Sequence, residues 1–161
     1  MQNSKKKIDK IFIIIGTTAS GKSDYAVNLA KKVNGEIISA DSRQIYKYFD
    51  IGSGKISKKE MKNIPHYCLD IADPVKYSKN YKKNNQSFSV AEYLKFANKS
   101  IKEILKKNKT PIICGGTGLY IDAILYGLSK NSKTNPLLRK KLEKESLEKL
   151  LLNQEKPTII F

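Results

Sequence analysis

Residues 11–23 read IFIIIGTTASGKS, and the fold turns on them. Ile11–Ile15 is a short, unbroken apolar run rich in β-branched residues, the pattern of a buried parallel strand. Gly16, Thr17, Thr18, Ala19, Ser20, Gly21, Lys22 and Ser23 then match G-x-x-x-x-G-K-[ST] at every position. Downstream, Tyr25, Ala26, Leu29, Ala30 and Val33 recur at helical spacing, and Asn34-Gly35 ends the run. Strand, glycine loop and helix in that order are the context in which this motif cradles phosphate. The glycines let the backbone curl so that successive N–H groups face one anion. The helix N-terminus adds the positive end of its dipole. Lys22 is placed to reach terminal phosphate oxygens, and the Ser23 hydroxyl to ligate Mg2+. The motif specifies a pyrophosphate-type ligand without saying whether that ligand is a nucleotide.

The same alternation continues along the chain. Glu36–Ser39 reads as a second short strand with Asp41 just past its end, and Arg43–Lys55 as irregular. Lys58–Asn63 reads as a helical turn, Tyr67–Ile71 as a strand, and Asp73–Ser87, opened by Pro74, as an exposed loop. Ser89 with Glu92 is a capping box opening a helix to about Asn108, with Val90, Leu94, Ala97, Ile101, Ile104 and Leu105 on one face. Pro111–Cys114 is the last clear strand, and Gly115–Gly118 turns it into a helix ending near Gly127. A Ser/Lys/Asn loop follows, then a charged amphipathic helix over Pro136–Leu152 and an apolar end at Lys156–Phe161. Strands alternating with helices mean βαβ units, so the fold class is α/β with a parallel sheet covered on both faces. Ligands collect at the C-terminal strand ends of such sheets. Gly16–Ser23, Asp41–Gln44 and Gly115–Thr117 all fall there, which argues for a single site.

The length of 161 residues suits one compact domain better than two. A hydrophobic content of 40% is enough for a core and argues against wholesale disorder. No apolar run nears the roughly 18 residues of a membrane span, so we expect no membrane partner. Ile11–Ile15 is too short for a signal-peptide core. Cys68 and Cys114 have no metal spacing and read as core residues of a reduced, cytoplasmic protein.

Lys and Arg total 31 against 15 acids, a net charge of +16 that suits an anionic partner. Only Arg43 and Arg139 are arginines, and 20 Ile and 12 Asn accompany the lysines. Because Ile, Lys and Asn share A/T-rich codons, nucleotide bias accounts for the excess as well as RNA affinity does. Charge therefore leaves the reaction open.

Asp41 lies where a carboxylate faces a phosphate site, as a general base or an outer-shell Mg2+ group; a turn aspartate is the plainer reading of the same position. Arg43 beside Gln44 suits base or phosphate contacts. Backbone amides at Gly115–Gly116 and the Thr117 hydroxyl could stabilise charge on a leaving oxygen; for the glycine pair taken alone, a tight βα turn is the favoured reading. His66, the only histidine, reads as structural. Tyr46, Tyr48 and Phe49 read as core or loop anchors, with base stacking as the alternative.

Five segments together resemble the tRNA dimethylallyltransferase (tRNA isopentenyltransferase) family. They are Gly16–Ser23 (GTTASGKS), Asp41–Lys55 (DSRQIYKYFDIGSGK), His66–Pro74 (HYCLDIADP), Phe88–Tyr93 (FSVAEY) and Gly115–Tyr120 (GGTGLY). Their order and spacing agree over about residues 10–140. The resemblance implies a P-loop NTPase-like parallel sheet flanked by helices, with the start of a helical insertion. It divides the chain into a basic tail (1–10), a catalytic core (11–128) and the start of a tRNA-binding insertion (129–161). It implies transfer of a dimethylallyl group from dimethylallyl diphosphate to N6 of the adenosine 3′ of the anticodon. Gly16–Ser23 would then hold the allylic diphosphate, with Mg2+ at Ser23. Asp41 would be the general base, and Thr18, Lys22 and Thr117 would stabilise the leaving diphosphate. Asp41, Ser42, Arg43, Gln44, Thr117 and Arg139 would contact the anticodon stem-loop of tRNA. We expect a monomer. Thr17 replaces the family's usual proline. Family members are also much longer, lacking here the rest of the insertion and the C-terminal basic helices, so we expect weak or absent activity from this chain alone. A small-molecule kinase, an isopentenyltransferase acting on free adenine nucleotide, and a non-catalytic RNA-binding remnant are the other readings.

Overall fold

The computed structural model describes residues 10–77, 88–128 and 136–152. Two compact units are present, divided at Gly127 and Leu128. In the first, β1 (Phe12–Ile15), β2 (Gly35–Ser39), β3 (His66–Tyr67) and β4 (Thr110–Gly115) form one sheet in the order β1-β4-β2-β3. Every pairing is parallel. Together with its flanking helices this is the P-loop NTPase-like α/β architecture that the glycine loop suggests. The register places Ile15 beside Gly115 and Ser39 beside Cys114, so β1, β2 and β4 end level with one another.

Alternation along the central strands builds two cores. Ile37, Ile112 and Cys114 meet Ala26, Val27 and Ala30 of α1 (Lys22–Val33) on one face. Ile38 and Ile113 meet Tyr93, Ala97 and Ile104 of α3 (Val90–Lys106) and Tyr120 and Ile121 of α4 (Gly118–Tyr126) on the other. The Tyr93 and Tyr120 rings stack at 3.8 Å, and the Tyr93 hydroxyl donates to the Ser39 carbonyl at 2.9 Å. The capping box at Ser89 and Glu92 opens α3 as the sequence implies, and a second one, Ser57 with Glu60, opens the single turn α2 (Lys58–Met61).

Several local expectations need correction. β1 is an edge strand that pairs, among the described residues, only with β4; Ile15 is 65% exposed, so its apolar run is not a buried strand. β3 stops at Tyr67 because Cys68 and Asp70 take left-handed backbone angles (φ 62° and 55°) that a strand cannot contain. The loop expected over Asp73–Ser87 begins instead with helix at 74–77. There Pro74 sits at the first helical position, and the Asp73 carboxylate accepts from the Val75 and Lys76 N–H groups. Residues 78–87 lie outside the described residues, as do 1–9, 129–135 and 153–161, which hold most of the tail, the Ser/Lys/Asn loop and the apolar end.

The second unit contains α5 (Pro136–Leu142) and α6 (Leu147–Leu152), not one continuous helix. The break coincides with Ser146, whose hydroxyl accepts from the Lys149 N–H at 3.3 Å and so caps a new helix. No helix among the described residues is long and apolar enough to cross a membrane.

Candidate active site

β1 delivers the chain into the glycine loop. A Cβ at Gly16 would stand 2.7 Å from the Ser20 hydroxyl, so the loop closes over a position only glycine fits without displacing that side chain. Ala19 and Gly21 are both left-handed (φ 62° and 76°), and Gly21 leads directly into α1. The Lys22 ammonium donates to the loop's own Thr17 carbonyl at 2.7 Å.

The neighbouring strand ends are stapled together. The Ala40 N–H donates to the Cys114 carbonyl at 2.8 Å, and the Thr117 N–H donates to the Ala40 carbonyl at 3.1 Å. The Ser42 N–H donates to the Thr117 hydroxyl at 2.9 Å. This close passage explains the glycine pair: a Cβ at Gly115 would stand 2.2 Å from the Ala40 oxygen, and one at Gly116 would stand 3.0 Å from the Gly16 oxygen. Gly116 thus brings the β4 turn against the glycine loop. Past Ala40, one Asp41 carboxylate oxygen accepts from the Arg43 N–H at 2.8 Å and the Gln44 N–H at 3.3 Å. That turn leaves its second oxygen outside these two bonds.

These three ends enclose a cleft of about 480 Å3. Gly16, Thr17, Thr18 and Lys22 line it from the glycine loop, Asp41, Ser42 and Arg43 from the end of β2, and Gly116 and Thr117 from the end of β4. The single site read from strand ends is therefore a single cleft. Ala19, Ser20, Gly21, Ser23 and Gln44 are not among its lining residues. Ser23 lines a separate cavity with Asp24, Gly54, Lys55, Ile56 and Glu60. Gln44 turns inward, donating from Nε2 to the Gly54 carbonyl at 3.1 Å. Arg139 falls on α5 in the second unit, and its side chain lies outside the described ones.

Gly52, Ser53 and Gly54 form a further wall of the cleft that sequence reasoning missed. The signal was the Gly-x-Gly-Lys run that closes the Asp41–Lys55 segment, which carries part of the family resemblance but otherwise reads as irregular. Tyr46 packs against the core as a loop anchor. Tyr48 and Phe49 do not: they are 75% and 54% exposed, and Tyr48 is left-handed at φ 69°.

The remaining candidates are structural. Half-buried His66 places Nδ1 2.8 Å from the Ile64 carbonyl, and burial lowers its pKa. Burial pushes the Cys68 thiol up to about 12 and the Cys114 thiol up to about 11. Neither cysteine is a ready nucleophile. Among the described residues no group of three His, Cys, Asp or Glu side chains could hold a metal.

Residues 44–157 match the family model described as IPP transferase, and residues 9–77 match one described as isopentenyl transferase. A tRNA dimethylallyltransferase of Thermoanaerobacter sp. (strain X514) is 56% identical over 117 residues, covering 73% of this chain and 34% of that protein. The enzyme of that name from Acetivibrio thermocellus is 48% identical over 143 residues, covering 88% of this chain and 42% of its own. Among solved structures, the full-length tRNA isopentenylpyrophosphate transferase of Bacillus halodurans superposes with a TM-score of 0.67 at 39% identity, over 84% of this chain and 42% of that one. A eukaryotic dimethylallyltransferase acting on tRNA gives 0.65 at 32% identity, over 83% of this chain and 31% of its own. The chain thus spans well under half the length of these relatives.

Proposed function

The chain belongs to the IPP transferase family, and from that premise we propose that it transfers a dimethylallyl group from dimethylallyl diphosphate to N6 of the adenosine 3′ of the anticodon in tRNA. One observation carries the reading: the glycine loop, Asp41 and Thr117 line the same cleft. A diphosphate on the loop and an amine near Asp41 can then share one space.

The loop amides and the α1 N-terminus hold the diphosphate. Lys22 exchanges the neutral Thr17 carbonyl for a charged phosphate oxygen, a stronger hydrogen-bond partner. The N6 nitrogen forms its bond to C1 of the allyl group as the C1–oxygen bond breaks and the electron pair leaves with diphosphate. Asp41 takes the N6 proton, its carboxylate already oriented by the Arg43 and Gln44 N–H groups. Thr117, held by its contact with Ser42, lies on the cleft wall to receive charge on the departing oxygens. Mg2+, when bound, neutralises diphosphate charge; Ser23 is the loop hydroxyl that would hold it. Arg43, exposed at the cleft, together with Ser42, supplies donors for tRNA. The acceptor base must leave its stack to enter. We further propose that the protein acts as a cytoplasmic monomer.

The test is incubation with labelled dimethylallyl diphosphate, Mg2+ and unmodified tRNA, with AMP as a competing acceptor. Label on tRNA is the expected result, and label confined to AMP overturns the acceptor. Asp41→Asn keeps an oxygen for the local turn while removing the base. It should slow transfer about 10²–10⁴-fold with pyrophosphate binding retained; unchanged transfer would refute the role of Asp41.

A further inference from the structure

Lys55 stands at the end of the wall 52–54, beside the cleft, and its basic side chain invites assignment as one more phosphate ligand. The geometry excludes this. Its side chain is 6% exposed, and an ammonium has three N–H donors. All three have partners: the Tyr46 carbonyl at 2.8 Å, an Asp50 carboxylate oxygen at 2.7 Å and an Asp70 carboxylate oxygen at 2.6 Å. No donor is left for a ligand.

Those acceptors come from three separate places. Tyr46 enters the loop and is bridged to Ala72, Asp50 is in the loop itself, and Asp70 follows β3. The Lys55 N–H also returns to the Asp50 carbonyl at 3.1 Å, and the Gly54 N–H to the Ile51 carbonyl at 3.1 Å. Residues 50–55 are thereby closed into a small ring with the buried ammonium as its hub. The ring is coupled to the candidate base: the Asp41 carboxylate holds the Gln44 N–H, and the Gln44 side chain holds the Gly54 carbonyl.

Two of the three wall residues are glycines. A Cβ at Gly52 would meet nothing within 4 Å, and Gly52 does not have the positive φ that favours glycine. Neither packing nor backbone angle therefore requires glycine there. Gly52 lines the cleft with open space around it.

We propose that Lys55 is a positioning residue whose ammonium pins the wall 52–54 and so fixes where the acceptor nucleotide of an RNA lies against Asp41. The identity of that acceptor rests on the function proposed above; the pinning of the wall does not.

The test uses Lys55→Met, which keeps the aliphatic stem and removes the three bonds. Hydrogen exchange should rise at residues 50–55 and stay unchanged in β4. Affinity for inorganic pyrophosphate should stay within about twofold, while affinity for an anticodon stem-loop RNA falls about tenfold or more. Where turnover is measurable, KM for tRNA should rise with kcat little changed. Should Lys55→Met fail to fold, Asp70→Asn, which weakens one of the three bonds at a half-exposed carboxylate, should give the same pattern with smaller amplitude. Unchanged exchange at 50–55, or parallel losses of pyrophosphate and RNA affinity, would overturn the proposal. Exchange and binding need no turnover, so a chain that transfers nothing to tRNA would refute the function proposed above and leave this test readable.

Discussion

Replacing Gly115 by alanine should break the junction on which the cleft is built. The new Cβ would stand 2.2 Å from the Ala40 oxygen, 2.4 Å from its carbonyl carbon and 2.8 Å from its Cα. Non-bonded carbons settle at about 3.5–4.0 Å, so Ala40 must retreat by about 1 Å. It has nowhere free to go, being fully buried, with its N–H bonded to Cys114 and its carbonyl to Thr117. Overpacking of this kind costs about 1–3 kcal/mol, and the two strained backbone bonds add about 1 kcal/mol each. The sum, about 3–5 kcal/mol, corresponds to a fall in Tm of roughly 10–15 °C for a chain of this size. The assay is denaturant and thermal unfolding followed by circular dichroism, with Gly118→Ala as control. A Cβ at Gly118 meets nothing within 4 Å, and the residue opens α4. That control should be neutral or stabilising by up to about 1 kcal/mol. A Gly115→Ala loss below about 1 kcal/mol would mean that the two strand ends part easily, and the account of the junction would fail.

Glu36, 1% exposed at the start of β2, accepts from Lys109 at 2.7 Å, Lys107 at 3.1 Å and Tyr67 at 2.6 Å. Burial pushes its carboxyl upward, but the hydrogen bonds from Lys109, Tyr67 and Lys107 outweigh that and hold it below the ordinary value of 4.5. Its contribution to stability is thus present above about pH 4.5 and disappears as pH falls through the lowered folded value. Glu36→Gln should cost about 1–3 kcal/mol at pH 7 and flatten the stability profile between pH 5 and 3 (about two units around the carboxylate range); an unaltered profile would show that Glu36 is not the titrating group. Cys68 and Cys114, both buried with raised pKa values, should resist a thiol reagent at about pH 8 and both react in denaturant. Fast labelling of the native protein would place them nearer the surface than the core clusters do.

The parts legible in the sequence were those specified by neighbours along the chain. The glycine loop declares its conformation through Gly16, Gly21 and the flanking strand and helix, and the Ser89–Glu92 box declares the start of α3 within four residues. Asp41 and Thr117 could be placed because a parallel sheet sends both strand ends to one edge. What stayed hidden depends on distant partners. Nothing near Lys55 reveals that Asp70, 15 residues on, will take its third bond. Nothing in Glu36–Ser39 shows that its first residue is buried and held by Lys107 and Lys109, just past the C-terminal end of α3. The apolar run of β1 gives no count of its neighbours, and the amphipathic period of 136–152 continues through the break that Ser146 makes.

β1's place at the margin of the sheet has a dynamic consequence. Paired with β4 alone among the described residues, it needs fewer broken bonds to detach than the two central strands, so its amides should exchange by local opening before those of β2 or β4. The glycine loop follows directly from that same strand. A ligand that binds the loop only while β1 is attached would, at a hundredfold excess over its Kd, stabilise the attached form by about 2.7 kcal/mol. For such a ligand, occupancy of the loop and attachment of β1 would be one linked equilibrium, the ligand standing in for the neighbour that an edge strand lacks on its open side.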